Sequence, residues 1–377
     1  MKTINKSLLL ILVAAVFMFS CEKEDTPDNN NNVIEGNQLG SVTLTESATL
    51  DAATAYQLNG VLTVQEGAVL TIPAGTVITA EGGTTSYVMI EQGAQILAEG
   101  TATNPIVFTS TVKEPASWGG LVICGYAPTN KPGTSEVGNK PYGGDDADDN
   151  SGVLKYVRVE YSGYNFTDEK QFNGVSLFAV GSGTTVSYVS SYNGNDDGIE
   201  FFGGTVDADH LVSINSGDDG IDFADGWQGS GSYWYAYNST KSGIEGSNNG
   251  SSGAATPMTN GTFTNMTIYR MGEKPWFLKE GSGVQAIDNI IIGGLADNKG
   301  HAYFFAQADD VDTFDRISAG EITVTNANFV NVGAGNDVKA VEGITVGENA
   351  SATGAGEYTD ATTMQPTWAD GWAAPSN

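Results

Sequence analysis

Histidine is nearly absent from this chain of 377 residues, with His210 and His301 the only two. A Ser-His triad or a three-histidine zinc centre needs imidazoles in number and in place. Neither histidine has a metal-binding spacing, so both chemistries are disfavoured. Cysteine is equally scarce, at Cys21 and Cys124. Cys124 sits in the apolar run Leu121-Val122-Ile123-Cys124, where a buried, unreactive thiol is expected. Positive charge is thin: 16 Lys and Arg face 45 Asp and Glu, a formal net charge of −29. Such a surface repels nucleic acid and anionic membranes and attracts cations, so nucleic acid is excluded as a partner. Long apolar runs are missing too. The run from Leu8 to Phe19 has twelve residues, whereas a membrane-spanning helix needs about 20.

Lys2 and Lys6 precede that run, and a basic start with a short apolar core reads as an export signal over residues 1–20. Phe19-Ser20-Cys21 resembles a lipobox, which makes Cys21 the predicted site of lipidation and palmitate attachment; Met18 stands where leucine is usual. Lys23-Glu24-Asp25 resembles the acidic signal that sends Bacteroidota-type lipoproteins to the outer face of the outer membrane. Several acyl chains on one cysteine would anchor the protein firmly. A lipidated Cys21 leaves Cys124 without a disulfide partner. Residues 21–39, with Asn29 to Asn32, read as a flexible stalk.

Beyond the stalk the segments are short, rich in Val, Ile, Thr, Tyr and Phe, and broken by Gly, Asn and Asp, an all-β pattern. Three of them align without a gap: VSSYNGNDDGIEF from Val189, LVSINSGDDGIDF from Leu211 and WYAYNSTKSGIEG from Trp234. A period of 22 to 23 without helical signal predicts a parallel β-helix, one rung per repeat. Ile199, Ile221 and Ile244 then stack inside. Asn193, Asn215 and Asn238 form an amide ladder, and Gly198, Gly220 and Gly243 supply a left-handed or cramped corner. Gly67-Ala68-Val69-Leu70 and Gly93-Ala94-Gln95-Ile96 repeat the idea at a spacing of 26. The β-helix is expected over 40–349, with an insertion near 129–151 and a C-terminal tail or cap over 350–377 that folds back on the C-terminal end.

LTVQEGAVLTIPAGTVI from Leu62, IEQGAQILAEGTATNPIVFTS from Ile90, WGGLVICGYAPTN from Trp118, YGGDDADDNSGVLKYVRVEYSG from Tyr142 and DDGIEFFGGTV from Asp196 carry a resemblance. The chain resembles an uncharacterised family of Bacteroidota-type surface lipoproteins. The resemblance covers Gly60 to Phe223 well. It implies a right-handed parallel β-helix and an outer-membrane location, and no reaction.

Three features could carry chemistry. Asp196-Asp197 and Asp218-Asp219 fall on adjacent rungs, with Glu200, Asp222 and Glu245 as a second column pointing outward. Carboxylates about 5 Å apart repel by roughly 1 to 3 kcal/mol, and a hard cation would remove the conflict, so one or two Ca²⁺ sites are expected here. The Asp145 to Asp149 run lacks the EF-hand pattern and reads as a solvated loop. Second, Trp227, Tyr233, Trp234, Tyr235 and Trp276 could stack on sugar rings, although alternate residues of the cluster must point inward. Third, the aspartate pairs resemble an element of polygalacturonases, but the accompanying H-G and R-I-K motifs are missing. Arg270, Lys274 or Lys279 could serve as the base of a calcium-assisted lyase. The scarcity of His, Arg and Lys favours a non-catalytic surface module binding an extracellular glycan or another macromolecule, such as a host or surface protein. A calcium-assisted polysaccharide lyase or hydrolase and a structural coat protein are the alternatives.

Overall fold

The computed structural model describes residue 34 and residues 36–82, 85–296, 304–336 and 342–375. The leader, Cys21, the Lys23-Glu24-Asp25 signal and His301 lie outside the described residues. No helix among the described residues is long and apolar enough to cross a membrane.

The chain winds into a right-handed parallel β-helix. Among the described residues one sheet has ten strands, one per turn, from Val42–Leu44 through Ile199–Phe202, Ile221–Ala224, Ser242–Gly246 and Lys274–Leu278 to Phe304–Ala306. The other has fourteen strands. In its early turns two short strands serve per rung, such as Val69–Pro73 and Val77–Ala80. Later a single long strand replaces them: Gly152–Glu160 pairs its first half with Gln95–Glu99 and its second half with Ile106–Ser110. The joint between the halves keeps a left-handed residue on rung after rung: Tyr156, Tyr188, His210, Tyr233, Asn265, Asn289 and Asn326 all have φ between 50° and 61°.

The repeat register holds. Ile199 pairs with Ile221 and Ile221 with Ile244, all buried in the core, so each rung hides its apolar side chain on the one below. Val69 and Leu70 pair with Gln95 and Ile96, the spacing of 26. Asn215 Nδ2 donates to Asn193 Oδ1, and Asn238 Nδ2 to Asn215 Oδ1, each at 2.7 Å. The left-handed corner belongs to these asparagines (φ 54°, 59° and 58°). The glycines that follow are cramped instead: a Cβ on Gly220 would lie 2.5 Å from the Gly243 carbonyl oxygen and 2.9 Å from Ala236 Cβ.

Residues between Leu121–Cys124 and Gly152–Glu160 leave the rung and form a small antiparallel pair, Gly133–Thr134 with Pro141–Tyr142. Val137 and Tyr142 of this excursion cover Met89, Val122, Cys124, Phe178 and Phe202 on the outer face of the ten-stranded sheet. Cys124 is free and buried, and burial pushes its thiol up to about 12. Helix α1 (Val311–Ser318), whose N-cap Asp310 accepts from the Thr313 amide, adds Ile317 to the core. The C-terminal segment does not fold over the end. It runs back along the outer face of the fourteen-stranded sheet. The Ala355 amide donates to Thr267 Oγ1, Tyr235 Oη to the Thr363 carbonyl, and Arg158 Nη1 to the Trp372 carbonyl.

Candidate functional site

The strand Ile199–Phe202 puts Ile199 and Phe201 into the core, so Glu200 faces outward. In register, Ser176, Glu200, Asp222, Glu245, Phe277 and Phe305 form one outer column along the ten-stranded sheet. The corner before it carries Asp196-Asp197 and Asp218-Asp219, with Lys241-Ser242 on the next rung. All seven predicted carboxylates therefore meet in one place. They are outward but mostly covered: Asp197, Asp219, Glu200, Asp222 and Glu245 are each at most 8% exposed.

Backbone and amide donors hold the cluster. Asp197 Oδ1 accepts from the Asp219 amide at 2.9 Å, Asp219 Oδ1 from the Ser242 amide at 2.5 Å, and Glu200 Oε2 from Asn173 Nδ2 at 2.6 Å. Lys241 pairs with Asp218 at 2.6 Å and Lys279 with Glu245. Two cations cannot neutralise seven carboxylates, and burial disfavours the charged forms. Burial, reinforced by Asp218, pushes Asp196 up to about 7. Burial and Glu245 do the same for Asp219, also to about 7. Asp197, Glu200 and Asp222 are driven well up, by burial first and then by Asp219, Asp222 and Glu245 respectively. Burial opposes the charge on Lys279, but Asp222 and Glu245 outweigh it and raise its ammonium.

Oxygen atoms from Asp197, Glu200 and Asp222 lie within 4.8 Å of one another, as do those from Asp196, Asp197 and Asp218. The aspartate run of the excursion joins neither group. Asp149 is buried and accepts from Ser151 Oγ and the Gly181 amide, a structural role, while Asp145, Asp146 and Asp148 are exposed.

The aromatic platform needs correction. Trp227, Trp234 and Trp276 lie in the core and cannot meet a sugar. Tyr235 points the other way but is buried under the C-terminal segment. Tyr233 is exposed and stacks on His210 at 4.6 Å, on the other sheet from the carboxylates. The outward rings are Phe277, half-buried, and Phe305, 37% exposed, with centroids 5.9 Å apart. Lys274 Nζ sits 3.5 Å above the Phe277 centroid. The alternation that buries Trp276 could have pointed to Phe277. Of the candidate bases, Lys279 reaches the carboxylates, Lys274 covers Phe277, and Arg270 bonds Tyr237 Oη on the fourteen-stranded sheet.

A family model described as a pectate-lyase-like β-helix domain matches residues 42–373. No curated protein matches. Among solved structures the chain is similar to the Dettilon tailspike protein, at 11% identity and a TM-score of 0.33, covering 75% of this chain and 62% of that one. It is also similar to full-length tailspike protein 2 from Escherichia coli O157:H7 bacteriophage CAB120, at 11% identity and a TM-score of 0.28, covering 73% and 38%. The chain spans less than two thirds of either tailspike chain.

Proposed function

The chain belongs to the pectate-lyase-like β-helix domain family, and from that premise we propose that it is a lipid-anchored surface β-helix that binds an extracellular polysaccharide without cleaving it. The binding face is the outer column of the ten-stranded sheet. One observation carries the reading: the acidic steps Glu200, Asp222 and Glu245 run in register into the aromatic steps Phe277 and Phe305. Aromatic rings accept the apolar face of a sugar ring. Of the carboxylates, the partly exposed Asp196 and Asp218 at the corner can accept its hydroxyls, and Lys241, Lys274 and Lys279 offer donors beside them. A polymer fits a column that repeats at each rung, about 4.8 Å apart. With a net charge of −29, a neutral glycan suits the face better than an anionic one. Lipidation at Cys21 would hold the protein at the outer membrane.

A second reading, hydrolysis or lysis, rests on Asp196 and Asp219 titrating near neutrality. A carboxylic acid beside carboxylates is what acid–base cleavage uses. A glycan array probed with the purified protein, paired with an assay for released reducing ends, separates the two. The proposal expects retention without release, and two- to tenfold weaker retention on Phe277→Ala, from roughly 0.5–1.5 kcal/mol per ring contact. Released ends would establish cleavage; no retained glycan and no released ends would reject both.

A further inference from the structure

We infer that Asp197, Glu200 and Asp222 form a binding site for a hard divalent cation, of the calcium type, that ties two successive rungs together. This goes beyond sugar binding and stands without it.

The geometry is a built site. The three carboxylates each bring an oxygen within 4.8 Å of the others. All three side chains are more than nine-tenths buried, with exposures of 8%, 8% and 5%. Asp197 and Glu200 belong to one rung and Asp222 to the next. The register of the repeat therefore sets their mutual positions. Hydrogen bonds orient two of them: Asp219 N–H holds one oxygen of Asp197, and Asn173 holds one oxygen of Glu200. Each bond leaves a second oxygen on its carboxylate. Outer partners of this kind fix the direction of metal ligands.

An independent observation points to a missing partner. Asp222 Oδ1 is buried and makes no hydrogen bond. Buried carboxylate oxygens are normally satisfied, and an orphan is costly. The nearby lysines make their ion pairs with other carboxylates, Lys241 with Asp218, Lys279 with Glu245 and Lys131 with Asp225, although Lys279 also lies close enough to feel the charge of Asp222. No lysine or arginine pairs with Asp197, Glu200 or Asp222 among the described residues. The donor set is oxygen only, without histidine or thiol, which selects calcium or magnesium over zinc or copper. Asp196 and Asp218, both partly exposed and grouped with Asp197, mark the approach from solvent.

The test is calorimetric titration of CaCl₂, and separately MgCl₂, into purified protein stripped with EDTA, with melting curves in calcium and in EDTA. The expected result is saturable calcium binding and a melting temperature raised by roughly 2 °C or more. Asp222→Asn should weaken binding at least tenfold and abolish the calcium-dependent rise, without lowering the melting temperature in EDTA. Glu200→Gln should do likewise and serves if the first variant does not fold. Glu46→Gln, on an exposed carboxylate, should change nothing. Absence of calcium heat with superimposable melts would overturn the inference. So would calcium binding that survives both Asp222→Asn and Glu200→Gln.

Discussion

The Ser190 hydroxyl donates to the carbonyl of Ala373 at 2.5 Å, across 183 residues of chain. Through this bond and its neighbours the C-terminal segment straps the fourteen-stranded sheet. Trp372 is fully buried against Tyr156 and Tyr188, and Trp368 lies edge-on to His210. Trp372→Ala is expected to cost about 3–5 kcal/mol, the range for emptying a buried aromatic site. Urea unfolding checks it. Glycan retention by the folded variant should be unchanged, because the proposed binding face is on the other sheet.

The asparagine ladder makes a separable prediction. Asn215 donates to Asn193, accepts from Asn238 and sits at φ 59°. Asn215→Ala loses both amide bonds and asparagine's tolerance of left-handed backbone, for a cost of about 2–3 kcal/mol. Asn215→Gly loses the bonds but keeps the backbone at ease, and should be the milder by about 1 kcal/mol. Thermal unfolding of the pair gives the order. Equal losses would mean that the left-handed corner costs alanine nothing.

The carboxylate cluster predicts the direction of pH dependence in the presence of chelator. Asp196 and Asp219 titrate at about 7 in the folded chain, far above the ordinary aspartate value. The folded state then holds protons that the unfolded state has released. A raised carboxylate pKa gives stability that is full below the unfolded value and lost as pH climbs through the folded one. The melting temperature in EDTA should therefore fall between pH 5 and pH 8. Asp196→Asn together with Asp219→Asn should flatten the decline. A melting temperature that rises across this window contradicts the assignment.

The parts of the fold that were legible are those every rung must repeat. Ile199, Ile221 and Ile244 have to stack because each faces the same interior, and Asn193, Asn215 and Asn238 because each occupies the same left-handed corner. The outward direction of Glu200 and Asp222 followed from strand alternation, but their burial did not. Burial depends on which loops and side chains cover the outer face, and Asn173 and Lys279 come from outside the aligned repeats. The aromatic cluster was misread for a local reason. Tyr233 has φ 57° in mid-strand, which resets the alternation there. Trp234 then turns inward and Tyr235 faces the strap. The strap itself leaves no periodic trace, since residues 350–375 repeat nothing.

The most direct test of the proposed function is hydroxyl-radical footprinting of the protein with and without a glycan it retains. Phe305 is exposed and Phe277 half-buried beside it, while Tyr233 and Tyr358 are exposed away from the ten-stranded sheet. The account predicts that the glycan protects Phe277 and Phe305 and leaves Tyr233 and Tyr358 as reactive as before. Protection confined to Tyr233 or Tyr358, with Phe277 and Phe305 unchanged, would contradict it.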